Sequence, residues 1–172
     1  MTRPPRKNGL MKKWLYWLWR VLPIPEKLRG PILWVGNRKF IIGIAAMILN
    51  DEGEILLFKH TYRTDCDWGF PGGYLKSHED PDAAIQREIF EESGLAVRIL
   101  NVLEIIRSED MARLEVLYRA VLRGEWEFKP SHEVSEARFF PLDQLPELLP
   151  EHQALIEKYG VEEKEVQDPA PL

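Results

Sequence analysis

Cysteine is almost absent. The single Cys66 cannot close a disulfide within the chain, which fits a reducing, cytoplasmic setting. It lies between Asp65 and Asp67, and neighbouring acids oppose a thiolate, so it reads as structural rather than nucleophilic. Histidine is scarce as well. His60, His78, His132 and His152 do not pair at metal-ligand spacing, and no Ser-His-Asp pattern or phosphate-cradling Gly-x-x-x-x-Gly-Lys loop occurs. There is no internal repeat. An excess of positive charge is also missing: the chain carries a net −5, which argues against general nucleic-acid binding.

What is present is enough for one ordinary domain with a sizeable core. Hydrophobic residues make up 45% and charged residues 30% of 172, a soluble and globular balance. The charge is uneven. Residues 1–30 hold eight basic residues against one acid, Glu26, for +7, which leaves −12 on residues 31–172. Within that basic stretch, residues 10–22 form an amphipathic helical pattern. Lys12, Lys13, Tyr16 and Arg20 share one stripe, and Trp14, Trp17, Trp19 and aliphatic residues cover nearly all the rest. The apolar arc is wider than one docking face needs. The run is too short to span a bilayer, is interrupted by Arg20, and no small-residue cleavage site follows it. Three roles stay open: docking on the domain or on a second subunit in a homodimer, lying on a membrane surface, or an uncleaved targeting segment.

Pro23, Pro25 and Pro31 mark a linker. Strand composition follows at residues 39–49 and 54–60, joined by the turn Asn50-Asp51-Glu52-Gly53, which predicts a hairpin. The stretch Trp68-Gly69-Phe70-Pro71-Gly72-Gly73 is turn-rich, and its glycines allow a close backbone approach. Later strands are expected at 97–107, 113–122 and 137–140, with a short edge segment at 125–128. Short helical pieces are expected from Pro141 and over 151–159. Residues 161–172 form an acidic tail.

The most informative stretch runs from Gly73 to Leu95, GYLKSHEDPDAAIQREIFEESGL. Asp80-Pro81 is a good helix start and Gly94 a good stop. Ala84, Ile85 and Ile89 form a modest apolar stripe, while Glu88, Glu91 and Glu92 fall on neighbouring turns of another face. Like charges four apart oppose the helix by roughly 0.2–0.5 kcal/mol, and the macrodipole disfavours anions near its C-terminus. Arg87 answers Glu91 at four-residue spacing, but one Arg cannot neutralise three Glu. A divalent cation would, and hard oxygen ligands suit Mg²⁺ or Mn²⁺.

Gly73, five residues, Glu79, seven residues, then Arg87-Glu88-Ile89-Phe90-Glu91-Glu92-Ser93-Gly94-Leu95 resembles the Nudix box, with every fixed position filled. The resemblance implies an α/β fold: an α/β/α sandwich with a mixed sheet, the box forming a loop–helix–loop, over about residues 31–160. It implies metal-dependent hydrolysis of a nucleoside diphosphate linked to another group, the competing class being a Nudix-like module that senses a nucleotide without cleaving it. By position, Glu88, Glu91 and Glu92 match the metal-binding acids. Gly73 matches the glycine whose carbonyl reaches a metal, Arg87 the arginine that orients a box glutamate, and Glu79 a supporting acid. A further catalytic acid on a later loop is expected, and Glu133 fits, with Glu136 as the alternative. Trp68, Phe70 and Tyr118 are candidates to stack a base, with core packing as their other role. Nucleotide sugars, nucleotide alcohols, ADP-ribose and nucleoside triphosphates all remain open as substrates. Met111 stands where many ADP-ribose hydrolases of the family carry a proline.

Overall fold

The computed structural model describes residues 25–27, 35, 39–107 and 112–160. The amphipathic pattern at 10–22 and the acidic tail lie outside these residues. The described domain has two sheets and two helices. One sheet is mixed, in the order β4 (Gly72–Tyr74), β1 (Ile41–Ile48), β6 (Arg113–Arg123), β5 (Ala96–Arg107). The other is antiparallel, in the order β3 (Trp68–Gly69), β2 (Ile55–His60), β7 (Val134–Phe140). Helix α1 spans Pro81–Ser93 and α2 spans Pro150–Tyr159.

β1 is apolar along almost its whole length because both its faces are covered. Ile44, Ala46 and Ile48 pack with Ala84, Ile85 and Ile89 of α1, while Ala45 and Met47 pack on the opposite side with Ile156 of α2. Each of the Ile and Met side chains contributes roughly 1.5–3 kcal/mol when fully buried. Alternation along one strand therefore builds two cores and an α/β/α sandwich.

Three local expectations fail. β1 and β2 do not form a hairpin. β1 pairs parallel with β6, Ile41 opposite Arg113 through Ile48 opposite Ala120, and antiparallel with β4. Only one bridge, Leu49 to Ile55, joins it to the β2 segment. With both edges of β1 taken, β2 pairs with β3 and β7 instead. Residues 125–128 do not form an edge strand; β6 ends at Arg123. Residues 141–146 make a turn closed by the Gln144 N–H on the Pro141 carbonyl at 3.0 Å rather than a helix. Pro146 removes an N–H donor and disfavours helix in the residue before it.

Among the described residues no helix is long and apolar enough to cross a membrane.

Candidate active site

α1 is set by its two ends. The Asp80 side chain accepts the N–H groups of Asp82 and Ala83 at 3.0 and 3.3 Å, and Pro81 opens the first turn. At the other end Gly94 takes a left-handed φ of 72° and donates its N–H to the Phe90 carbonyl at 2.8 Å. Fixed ends hold the carboxylates of the last two turns at defined positions.

Arg87 is the hub of that face. Its Nε and Nη2 donate to the two oxygens of Glu79 at 2.6 and 2.9 Å, a bidentate clamp that ties the box loop to the helix. Its Nη1 reaches Glu88 Oε1 at 2.8 Å and Glu91 Oε2 at 2.9 Å. Glu91 is exposed and also faces Lys76 Nζ at 3.9 Å, whereas Glu88 is mostly covered. Gly73 explains why. A methyl placed there would come within 2.7 Å of the Glu88 carboxyl carbon, so only glycine lets β4 pass that close to Glu88.

Glu92 is different in kind. It is 5% exposed, and its Oε2 is buried with no hydrogen-bond partner among the described residues. Burial pushes its pKa up to about 8, reinforced by the charges of Glu133 and then Glu88 and opposed by a backbone contact to Gly72. A buried carboxylate without a partner is costly unless a cation or a proton joins it.

Glu133 therefore shares an electrostatic neighbourhood with Glu92, and Glu136 does not. The backbone around Glu133 is clamped. Its carbonyl accepts the Thr61 N–H at 2.9 Å, Thr61 Oγ1 donates to the His132 carbonyl at 2.6 Å, and Ser131 Oγ accepts the N–H groups of Glu133 and Val134 at 3.2 and 3.1 Å. Glu136 lies opposite Lys59 in the ladder and pairs with Lys59 Nζ at 3.1 Å and with Arg138 Nη2 at 3.3 Å.

On the α2 side of the mixed sheet a cleft of about 500 Å³ runs up to Gly72 and Gly73, which bound it next to the carboxylates. Its wall includes His60, Arg63, Phe70, Arg113 and His152, with Tyr62 and Tyr74 exposed on it. A register shift between Lys59 and His60 interrupts the β2–β7 ladder where β2 meets this wall. Burial, followed by the charge of Arg63, brings the pKa values of His60 and His152 down to about 4. Arg113 pairs with Glu115 and lies under the Tyr74 ring, 5.5 Å from its centroid.

The three aromatic candidates do not come together. Phe70 lines the cleft but is 3% exposed and packs on the His152 ring at 4.7 Å between centroids. Trp68 stands edge-on to Phe140 at 4.9 Å with Lys59 and Arg138 over its ring, outside that cleft. Tyr118 is 2% exposed in the α1 core, and burial, with the nearby Asp82, raises its hydroxyl pKa to about 12. The aromatic residues with free surface at the cleft are Tyr62 and Tyr74, which composition alone does not single out. Arg63 carried a readable signal, a polar His-Thr-Tyr-Arg run just after an apolar strand, where loops gather functional groups. His152 carried none.

A family model for the NUDIX domain matches residues 39–159. The chain belongs to the NUDIX domain family. It is 31% identical over 119 residues to an ADP-ribose pyrophosphatase of Methanocaldococcus jannaschii, covering 65% of this chain and 69% of that one. It is 32% identical over 85 residues to an RNA pyrophosphohydrolase of Methylococcus capsulatus, covering 49% and 42%. Among solved structures, an ADP-ribose pyrophosphatase from Streptococcus suis superimposes with a TM-score of 0.62 at 26% identity, over 73% of this chain and 95% of that one. The protein is a Nudix-type pyrophosphohydrolase acting on a phosphoric anhydride.

The Nudix box acids suit a hard divalent cation in their chemistry. They supply oxygen donors, and the buried Glu92 Oε2 lacks a partner. Among the described residues no three His, Cys, Asp or Glu side chains stand ready-made as a metal cage. Arg87 Nη1 engages Glu88 and Glu91 through one oxygen each.

Proposed function

We propose that this Nudix protein is a metal-dependent hydrolase that cleaves the diphosphate link of a nucleoside diphosphate joined to another group, with ADP-ribose the first substrate to test. The observation that carries the reading is Glu92, a buried carboxylate without a hydrogen-bond partner at one oxygen, set among the charges of Glu88 and Glu133. The relatives named as ADP-ribose pyrophosphatases support the choice of substrate.

Glu88, Glu91 and Glu92, with the Gly73 carbonyl, would hold Mg²⁺ or Mn²⁺. Such an ion offsets negative charge on the phosphate oxygens and lowers the pKa of water. Arg87 orients Glu88 and Glu91 through its Nη1 while Glu79 holds its other edge. Glu133 accepts the proton of the attacking water. The water oxygen bonds to one phosphorus, the bridging P–O bond breaks, and the two phosphate-bearing halves leave. For this class of transfer most of the catalysis is positioning and charge compensation.

The test is turnover of ADP-ribose, nucleotide sugars and nucleoside triphosphates with Mg²⁺ and Mn²⁺, the products identified by mass. Glu92→Gln is expected to lose at least about 100-fold in turnover. Full activity in that variant, or in excess chelator, sinks the proposal.

A further inference from the structure

His60, His152 and Arg113 of the cleft wall hold buried nitrogens without a hydrogen-bond partner among the described residues, but Arg63 is the cation of that wall that makes no ion pair among them. Its Nη1 is buried and has no hydrogen-bond partner among the described residues. A buried guanidinium N–H left unpaired is costly, so its position calls for an acceptor.

The surroundings hold it there. A methyl placed on Gly69 would overlap Arg63 Nη1 and come within 3.1 Å of His152 Cε1, so β3 is bare at the point where the guanidinium lies. His60 and His152 also line the wall, and both imidazoles are neutral near pH 7, so neither repels the guanidinium. The field of Arg63 reaches Glu92, which connects the cleft to the acids of α1. The other cation of the wall, Arg113, is paired with Glu115 through Nη2, although its buried Nε has no hydrogen-bond partner among the described residues.

We propose that Arg63 is a substrate-binding residue whose Nη1 donates to a phosphate oxygen of the diphosphate. It thereby fixes that group in the cleft beside Gly72 and Gly73, within reach of the Glu88, Glu92 and Glu133 carboxylates. An anionic phosphate is the acceptor this position selects, because a charge-assisted bond to a guanidinium is about twice as strong as a neutral one. Gly69 is the positioning residue, since a side chain there would overlap Arg63 Nη1 where the guanidinium now lies. The assignment rests on the hydrolase reading for the identity of the diphosphate, but the anion site itself is testable without turnover.

The experiment measures binding of ADP and of adenosine to the full chain by calorimetry in chelator, then ADP-ribose turnover with Mg²⁺. Arg63→Gln should weaken ADP binding about 10- to 100-fold, as expected for one charge-assisted bond, with little change for adenosine. Arg63→Lys should recover part of the loss. Gly69→Ala should mimic Arg63→Gln although Arg63 is retained. In turnover the loss should show mainly in KM, with kcat less affected. If a Gln variant fails to fold, Arg63→Lys and Gly69→Ala carry the same comparison. ADP binding at wild-type strength in folded Arg63→Gln overturns the proposal and leaves the hydrolase reading intact. Equal losses for ADP and adenosine also overturn it, because they mean a collapsed cleft. Arg63-dependent ADP binding in a protein that hydrolyses none of the panel supports the anion site and removes the hydrolase reading.

Discussion

The two helices of this domain begin alike and are built for opposite purposes. Both start with proline, and each buries an aliphatic face on the same central strand from opposite sides. α1 has a side-chain cap at its start and a left-handed glycine at its end, and it carries a dense lattice of charge. α2 has no side-chain cap, and its last carbonyl region is held from outside by Arg119 Nη2 on the Tyr159 oxygen at 2.7 Å. Where α1 buries a carboxylate held toward its neutral form, α2 buries a histidine held in its neutral form. A helix that must present several like charges needs rigid ends and a clamp. A helix that closes a cleft needs only shape.

This contrast has a pH signature, and it supplies the largest expected effect. His60 and His152 titrate near 4 in the folded protein against an ordinary 6.5. The unfolded chain therefore takes up protons first as pH falls. Their contribution is fully present above pH 6.5 and is lost between about 6.5 and 4, up to about 3 kcal/mol for each ring. Glu92 runs the other way. Its folded value near 8 lies above the ordinary 4.5, so its contribution is fully present below pH 4.5 and is lost as pH rises through 8. The trends oppose each other between pH 4.5 and 6.5, and variants separate them. In denaturant melts without metal, His152→Leu should lose less stability than the parent between pH 6.5 and 4. Glu92→Gln should flatten the decline toward pH 8. Parallel curves for parent and variants would erase the contrast between the helices.

Next comes metal. Adding Mg²⁺ or Mn²⁺ near pH 8 should raise the melting temperature of the parent protein, because a ligand that binds only the folded state stabilises it. The same ion should shift Glu92→Gln much less. An equal shift in both would place the ion elsewhere.

The third prediction concerns two acids of one strand region. Glu133→Gln should lower turnover about 100-fold, the low end of the range for losing a general base. Glu136→Gln should leave turnover near normal, since Glu136 faces Lys59 and Arg138. It should change stability by no more than about 1 kcal/mol, because the pair is only partly buried and still reached by solvent. The reverse order in the rates would reassign the base.

The smallest effect tests the rigid start of α1. Asp80→Ala removes the acceptor of the Asp82 and Ala83 N–H groups and should cost about 1 kcal/mol in a chemical melt. The comparable change Leu149→Ala, before α2, removes no cap and should act only through lost packing. If Asp80→Ala is neutral, the caps do not distinguish the helices.

The failures of sequence reading follow one pattern. The β1–β2 hairpin is the pairing that short range suggests, yet β1 is claimed on both edges by β4 and β6, and β6 comes from about seventy residues further on. Tyr118 stands between Leu117 and Arg119, which does not say which face it takes, but the helix laid over that face turns it into core. Glu133 and Glu136 look interchangeable in SHEVSEARFF. The register of β7 on β2 sends Glu136 to Lys59, while the Thr61 and Ser131 bonds hold the Glu133 turn beside Glu92.

The sequence by itself determined α1: its caps, its length and its charged face. These depend on residues three or four apart, on backbone chirality and on charge, all of which act within one element. It also determined the longer strand segments and the family resemblance, but not the short strands β3 and β4, which the turn-rich stretch over residues 68–73 concealed. Only the tertiary structure decided the cleft, because Arg63, Gly69, Arg113 and His152 meet there from separate parts of the chain. Their burial, and with it the neutral state of both histidines and the unpaired guanidinium nitrogen, exists only once the sheets and α2 have closed around them. Desolvation is a property of the assembled interior, and no local pattern of residues encodes it.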